Sequence, residues 1–573
     1  MKKFLLSIAV LVAIQVIAPV ASFTQNIRIP SSETRRMHHE VPDQPYLAPK
    51  PDVKKTPPVP GLSSPGFFTA QVNVDANGDN MLGDAANEPS IAVDPTNPDK
   101  MVIGWRQFDD VLSNFRQAGY GYSSNGGQNW TFPGVIEPTI FRSDPVLGVD
   151  KSGNFYYNSL TNVTGNFTCN VYKSVNGGAT WDLGTDAHGG DKQWMAIDGT
   201  NGPGTGNIYS CWNSSYSSCS PGFFTRSADA GASYEDCVEV AGSPYWGTME
   251  VGPDGELYTG GGGSFDGVIV VKTTNAQIPG STIAWNSVTY VDLDGYLSGN
   301  APINPVGILG QVSVDVDRSS GPGRGNVYVM ASVVRLSVTD PADVMFAKST
   351  DGGATFSSPV RINTDVSTDN YQWFGTMSVA PNGRIDVIWL DTRDDVPGSF
   401  MSSLYYCYSE DQGATWSINK RLSAAFDPTV GYPQQAKMGD YFDMVSDDGG
   451  AHLSWANTLN GEQDVYYTHI TPTIVGMNEN PGEQALLTLT CSPNPFRDQT
   501  TIRYKVPENC SVKMVICDLY GKEITTLVEK VQTAGIYSVN FQGGNLPAGF
   551  YICRLSAGAH TTSARLIRLN GSL

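Results

Sequence analysis

Positive charge is scarce in this sequence. Lys and Arg total 36 against 56 Asp and Glu, a formal net charge of −20. Nucleic acids are held by basic faces that displace counterions, so the balance argues against a nucleic-acid partner. An anionic ligand would need a local cluster of arginines. Zinc-ligand spacing is missing too, because there is no CxxC pair and no His/Cys cluster. Beyond the N-terminus no run is apolar enough to cross a bilayer as a helix, so no transmembrane segment is expected.

Turn formers and aromatics are abundant: 61 Gly, 36 Pro, 26 Tyr and 11 Trp. That composition favours many short strands over helices. A chain of 573 residues exceeds one ordinary core, so more than one domain is expected. Residues 1–22, "MKKFLLSIAVLVAIQVIAPVAS", carry two lysines, an apolar run interrupted by Gln15 and Pro19, and Val20 and Ser22 at the end. They read as a cleaved secretory signal, which would deliver the nine cysteines to an oxidising compartment. Cys169, Cys211, Cys219 and Cys237 fall in one stretch. Cys211 and Cys219 could close a small loop, but spacing does not fix the pairing. The odd count leaves a free thiol, for which Cys407 is the candidate.

Residues 23–66 form a Pro-rich arm. Over 67–473 the chain repeats. Seven segments alternate, turn and alternate again, as in "PSIAVDPTNPDKMVIGW" and "MSVAPNGRIDVIWLD". A second phrase follows most of them: "GYSSNGGQNW", "YKSVNGGATW", "TRSADAGASY", "AKSTDGGATF", "YSEDQGATW" and the degenerate "VKTTNAQIPGSTIAW". Four strands per unit arranged in a ring is the propeller pattern. The last unit ends at "DVYYTHI" without its fourth strand, whereas "FFTAQVNV" at 67–74 precedes the first unit and belongs to none. It is expected to close the ring and remove an exposed edge. The count gives seven blades, or six if 260–310 is not a full blade.

The repeated phrase is Ser-x-Asp/Asn-x-Gly-x-x-aromatic, for example Ser349, Asp351, Gly353 and Phe356. A short acid or amide folds its own turn by accepting backbone N–H groups. Glycine allows a positive φ, and the aromatic packs beneath. Asn125 and Asn176 stand where other copies have Asp, which suits a turn acceptor and not an acid or nucleophile. The phrase resembles the Asp-box, or BNR repeat, of the sialidase superfamily. That resemblance implies a propeller fold, and in true sialidases an arginine cluster, a carboxylic acid and a Tyr–Glu nucleophile pair. Arg28-Ile29-Pro30 lies in the arm, well before the first propeller strand, and no Glu–Arg–Tyr set matches in order.

After a linker at 474–484, residues 485–573 read as short alternating strands of a small Ig-like β-sandwich. Pro493-Asn494-Pro495-Phe496, Asp518 with Gly521, and Leu546-Pro547-Ala548-Gly549-Phe550-Tyr551 are similar to the C-terminal sorting domain of the type IX secretion system. The resemblance implies export across the outer membrane of a Gram-negative bacterium, handled by that machinery. The product would be secreted, extracellular or held at the outer-membrane surface.

In the propeller, the segments entering each first strand and leaving each second strand are expected to build a central funnel. They offer Glu88, Asp144, Lys192, Trp194, Trp246, Trp373, Asp440 and Tyr441, with Arg106, Asp391 and Arg393 on the leaving side. Arg106 and Arg393 would hold a substrate anion bidentately. Trp194, Trp246, Trp373, Asp391 and Glu88 would line the site. Asp144 or Asp440 would act as acid, with Tyr441 beside them. Asp75, Asn77, Asp79 and Asp84 have oxygen-ligand spacing that suits calcium; no other cofactor is expected. The leading reading is an all-β, secreted or cell-surface sialidase-like propeller that binds a carbohydrate or surface protein. The alternatives are an exo-acting glycoside hydrolase and a purely structural surface protein.

Overall fold

The computed structural model describes residues 44–48, 54–58, 66–472 and 488–569, with short gaps inside these ranges. The signal-like segment, Arg28-Ile29-Pro30 and the linker lie outside them. Two compact units are present, residues 1–472 and 473–573.

The first unit is built from antiparallel sheets that follow one another along the chain. The first comprises Ala85–Val93, Met101–Phe108, Gln117–Ser123 and Thr131–Ile136 in that order. Later sheets repeat the plan, starting with the inner strands Ser143–Val149, Trp194–Ile197, Met249–Val251, Ser313–Val316, Gln372–Val379 and Asp443–Ser446. Each inner strand lies against the next, and Asp443–Ser446 lies against Ala85–Val93, so the order is cyclic. The strand Phe67–Gln71 pairs with Asp464–Ile470, from Phe67 opposite Ile470 to Gln71 opposite Tyr466. N- and C-terminal segments thus share the last sheet, and its outer edge is covered.

Side chains on the inner strands tie neighbouring sheets by accepting the next strand's backbone N–H. Ser90 accepts from Leu147 (2.9 Å), Thr248 from Val314 (2.9 Å) and Asp315 from Val379 (2.7 Å). Ser378 accepts from Ser446 (2.9 Å) and Asp443 from Ile91 (3.0 Å). Trp105, Trp389 and Trp455 are fully buried between sheets.

The repeated Ser-x-Asp/Asn-x-Gly phrase makes the same turn at Ser123, Ser174, Ser227, Ser349 and Ser409, directly after the third strand of its sheet. Ser349 Oγ donates to Asp351 Oδ1 (2.7 Å) and accepts from Gly353 N–H (2.8 Å), and Asp351 Oδ1 accepts from Thr355 N–H (2.9 Å). Asn176 does the same for Thr180 N–H at 3.0 Å. The aromatic then packs on the preceding sheet, as Trp416 does on Phe346 (ring centroids 5.1 Å) and Trp130 on Tyr467 (5.4 Å). Gly127, at φ 77°, is held so close to the Tyr467 ring that a side chain there would collide with it.

The disulfide differs from the loop considered above: Cys219 pairs with Cys237. Cys211 sits inside the strand Ile208–Cys211, with its Sγ 3.3 Å from Thr259 Oγ1 of the next sheet. A bridge between Phe224 and Val238 brings Cys237 back towards Cys219. Cys407 is a buried free thiol.

The second unit has two antiparallel sheets, one of three strands and one of four, around a shared core that includes Ile502, Met514, Phe541 and Leu555. Asn494 Oδ1 caps the last strand by accepting from Ile567 N–H (2.8 Å), and Tyr551 OH donates to Pro547 O (2.7 Å).

Candidate functional site

Just ahead of, or at the start of, each inner strand the backbone bends through positive φ. The residues are Glu88 (49°), Asp144 (48°), Lys192 (57°), Trp246 (55°), Gly310 (124°), Phe374 (54°) and Gly439 (105°). Such backbone costs on the order of 1–3 kcal/mol for a non-glycine residue and persists only where its surroundings fix it. Here it brings charged heads together inside the ring.

The charges form one buried network. Glu88 meets Arg106 Nε (3.2 Å) and Lys437 Nζ (3.3 Å). Lys437 reaches Asp440 (2.7 Å), which also meets Lys192 (2.8 Å). Lys192 further contacts Asp191 (3.2 Å) and Asp144 (3.5 Å). All seven residues are buried. Arg106 also donates to Asn87 Oδ1 (2.8 Å) and Gln435 Oε1 (3.2 Å). The segment before the fifth inner strand closes over this end. Asn304 accepts from Met438 N–H (2.9 Å) and donates to Gly439 O (2.9 Å), and Ile308 N–H donates to Asp440 Oδ1 (3.1 Å).

Glu88, Asp144, Asp191 and Asp440 thus meet Arg106, Lys192 and Lys437 in one continuous chain of ion pairs. Burial pushes the Glu88 carboxyl up to about 7, against the opposing pull of Arg106 and Lys437. Burial alone would lower Lys192, but Asp144, Asp191, Asp440 and Glu88 hold its ammonium well above the ordinary lysine range. Burial also drives the Tyr441 phenol well above its usual value, and its OH donates to Pro145 O (2.8 Å).

The expected funnel residues therefore divide. Glu88, Arg106, Asp144 and Asp440 converge, but inside a closed network rather than on an open surface, and the buried Tyr441 stands outside its ion pairs. Trp194 packs edge-on against Tyr441 (5.5 Å), Trp246 against Tyr245 (5.2 Å), and Trp373 Nε1 donates to Ser402 Oγ (3.2 Å). Trp246 and Trp373 are core, and Trp194, also buried, reaches the ring axis. Arg393 stands apart from Arg106, so the expected pair of arginines does not form. It binds Asp391 (2.6 Å), faces Asp365 (3.6 Å) and lies over the Tyr405 ring (4.5 Å). The ladder continues through Arg361, Asp343, Arg335 and Asp294, with links of 3.0, 2.6, 2.5 and 2.5 Å. Sequence reading missed Lys437, Asp191, Arg335 and Arg361. Lys437 stood three residues before Asp440 and Asp191 beside Lys192, but no local pattern marks a partner from another sheet.

Among the described residues the expected calcium ligands Asp75, Asp79 and Asp84 do not group closely enough to share one ion. Asp75 accepts from Asn77 N–H (2.8 Å) and Asp79 N–H (2.9 Å) and pairs with Lys55 (2.6 Å). Asp84 instead accepts from Gln107 (2.9 Å). Burial, with Glu462 and Asp109 nearby, pushes it up to about 7. Among the described residues only His188, Cys219 and Cys237 group closely enough to hold a metal, and those two cysteines form the disulfide.

Open space lies elsewhere. A cavity of about 180 Å³ runs along the ring axis, lined by all seven inner strands. Trp194, Phe374, Tyr441 and Phe442 line it, together with Glu250, Asp315 and Arg318.

Among solved structures, the chain is similar to a protein of unknown function from Dyadobacter fermentans. The identity is 12%, covering 71% of this chain and 100% of that one, with a TM-score of 0.42. A fungal alcohol oxidase of the AA5 family in complex with copper gives 10%, 89%, 100% and 0.43 on the same measures. Trypanosoma rangeli sialidase in complex with the inhibitor DANA gives 10%, 87%, 87% and 0.36. No curated protein matches the chain. No helix among the described residues is long and apolar enough to cross a membrane. Residues 491–568 match the family described as the secretion system C-terminal sorting domain, which places the protein at the cell surface or outside a Gram-negative bacterium.

Proposed function

We propose that residues 67–473 are a seven-bladed Asp-box propeller, displayed or released by type IX secretion, that binds glycans or proteins without hydrolysing them. One observation carries this reading. The acids and the arginine that a glycosidase funnel would use are buried and paired with charged partners, and the tyrosine is buried with its OH on Pro145 O. A general acid must reach its substrate, and an arginine must keep its fork free to hold a carboxylate. Glu88, Asp144 and Asp440 are spent on Arg106, Lys192 and Lys437. Rim side chains remain for recognition, and Arg393, which is paired with Asp391 but keeps 14% of its side chain exposed, is the candidate contact among them.

The test is a fluorogenic sialoside and arabinofuranoside assay beside a glycan array, with parent and Arg393→Ala proteins. The expected result is no turnover and array binding that weakens in the variant. Turnover lost in Asp440→Asn would establish the hydrolase instead. No binding by either protein would leave a structural role.

A further inference from the structure

The axial cavity has two distinct ends. In an antiparallel sheet of four strands, the turns joining strands one to two and three to four share one end. Arg318 lies in the turn after Ser313–Val316, so it marks the end where the repeated turns sit. The opposite end is the one shut by the buried ion network. The cavity is therefore approached from the face away from the expected funnel.

Its interior contains an unmet demand. Gln311 lines it with 4% of its surface exposed, and neither its Nε2 nor its Oε1 has a hydrogen-bond partner. Ser446 Oγ, also lining it, is likewise unpartnered. A buried polar group left unmatched costs about 1–3 kcal/mol. An amide needs an acceptor at its nitrogen and a donor at its oxygen, and a hydroxyl offers both. The walls include Met195, Met249, Met377 and Met444, unbranched side chains that adapt to a guest. Trp194 and Tyr441 give flat surfaces for a ring.

Charge narrows the guest further. Asp315, Glu250 and Asp443 outnumber Arg318, and Arg318 is already engaged by Glu250 and by Asp315 (3.6 Å). Burial pushes Asp315 up to about 7 and Asp443 to about 6. An anion meets a surplus of carboxylate, while for a cation each carboxylate is already engaged: Asp315 by Val379 N–H (2.7 Å), Asp443 by Ile91 N–H (3.0 Å) and Glu250 by Arg318. We propose that the axial cavity is a binding site for a small neutral polyhydroxyl molecule, a single sugar ring or a polyol, anchored by the Gln311 amide. Its volume of about 180 Å³ is several times the roughly 30 Å³ share of one water in the liquid, so one guest would displace several waters.

The full chain is titrated with D-glucose, D-galactose, L-arabinose, myo-inositol and the anion N-acetylneuraminate, following intrinsic tryptophan fluorescence and ligand-observed NMR. The expected result is saturable binding of at least one neutral probe, no competition by the anion, and at least about tenfold weaker binding in Gln311→Leu at unchanged Tm. Ser446→Ala deletes a single hydroxyl and should weaken binding by roughly threefold, which keeps the test open should Gln311→Leu misfold. The proposal is overturned if no neutral probe binds, so that only water fills the cavity, or if the anion binds best. Binding lost in Arg393→Ala but kept in Gln311→Leu would assign the ligand to the rim and also overturn it.

Discussion

Lys192 is the residue whose removal should reveal the ion network most directly. Its ammonium serves Asp440 at 2.8 Å, Asp191 at 3.2 Å and Asp144 at 3.5 Å, with no exposed side-chain surface. Lys192→Met keeps the aliphatic stem and deletes the charge. Three buried carboxylates then lose the cation they share, while Asp440 keeps Lys437 (2.7 Å). Breaking a buried ion pair by removing one partner costs about 3–5 kcal/mol. With an average unfolding entropy of about 2.1 cal/mol/K per residue over the roughly 400 residues of the ring, that is a fall of about 4–6 °C in Tm. The sign with pH follows from the carboxylates. In the variant their folded pKa values rise, so the loss is small below the usual carboxylate range and grows as pH rises through the raised values. Melting at pH 5 and pH 8 should therefore show the larger deficit at pH 8. Lys192→Met/Asp440→Asn should recover part of it, because one charge of each sign is gone. The exposed Lys100→Met is the control and should shift stability by no more than about 0.5 kcal/mol. In the native parent, an amine-acylating reagent should modify Lys100 and spare Lys192. A Lys192→Met protein that melts within about 1 °C of the parent at pH 8, or native acylation of Lys192, would refute the closed network.

Three further outcomes are expected. Because burial raises Glu88 to about 7, its contribution is complete below its unfolded value and is lost as pH rises towards and through about 7. Glu88→Gln should flatten the decline of stability between pH 5 and pH 8 by on the order of 2–3 kcal/mol, measured by urea titration at each pH. Gly127→Val forces a branched residue into φ 77° against the Tyr467 ring and should destabilise by more than about 2 kcal/mol in the same titration. Asp351→Asn keeps the Oδ1 acceptor and should melt close to the parent, whereas Asp351→Ala, which leaves Thr355 N–H without its acceptor, should melt measurably lower.

Local chemistry was the legible part. The Ser349–Asp351–Gly353 turn depends on hydrogen bonds reaching two and four residues along the chain, so its residue types and spacing stand in the sequence. The same holds for the tail, where Asn494 and Tyr551 belong to short motifs. The strand Phe67–Gln71 was legible for another reason: the last unit lacked a strand and the first had one too many. The site was not legible in this way. Asp144 and Asp440 read equally well as funnel acids or as core, because exposure separates those roles. The same ambiguity held for Trp194, Trp246 and Trp373. Cys219 could not be matched to Cys237 from spacing, since the match depends on the chain returning at Phe224 and Val238.

By itself the sequence determined the repeating strands, the turn that joins them, the acidic balance and the sorting tail. Each rests on periodicity, composition or contacts between near neighbours in the chain. Only the tertiary structure decided that Glu88 meets Lys437, that Lys192 meets Asp440, and that Gln311 is left without a partner. Closing the ring sets sequence-distant inner strands side by side, and Asn304 and Ile308 then bind the backbone and carboxylate beneath them. Whether a charged side chain there is a reactive group or part of the core depends on which charges it meets and whether water reaches it. Both are set by that closure.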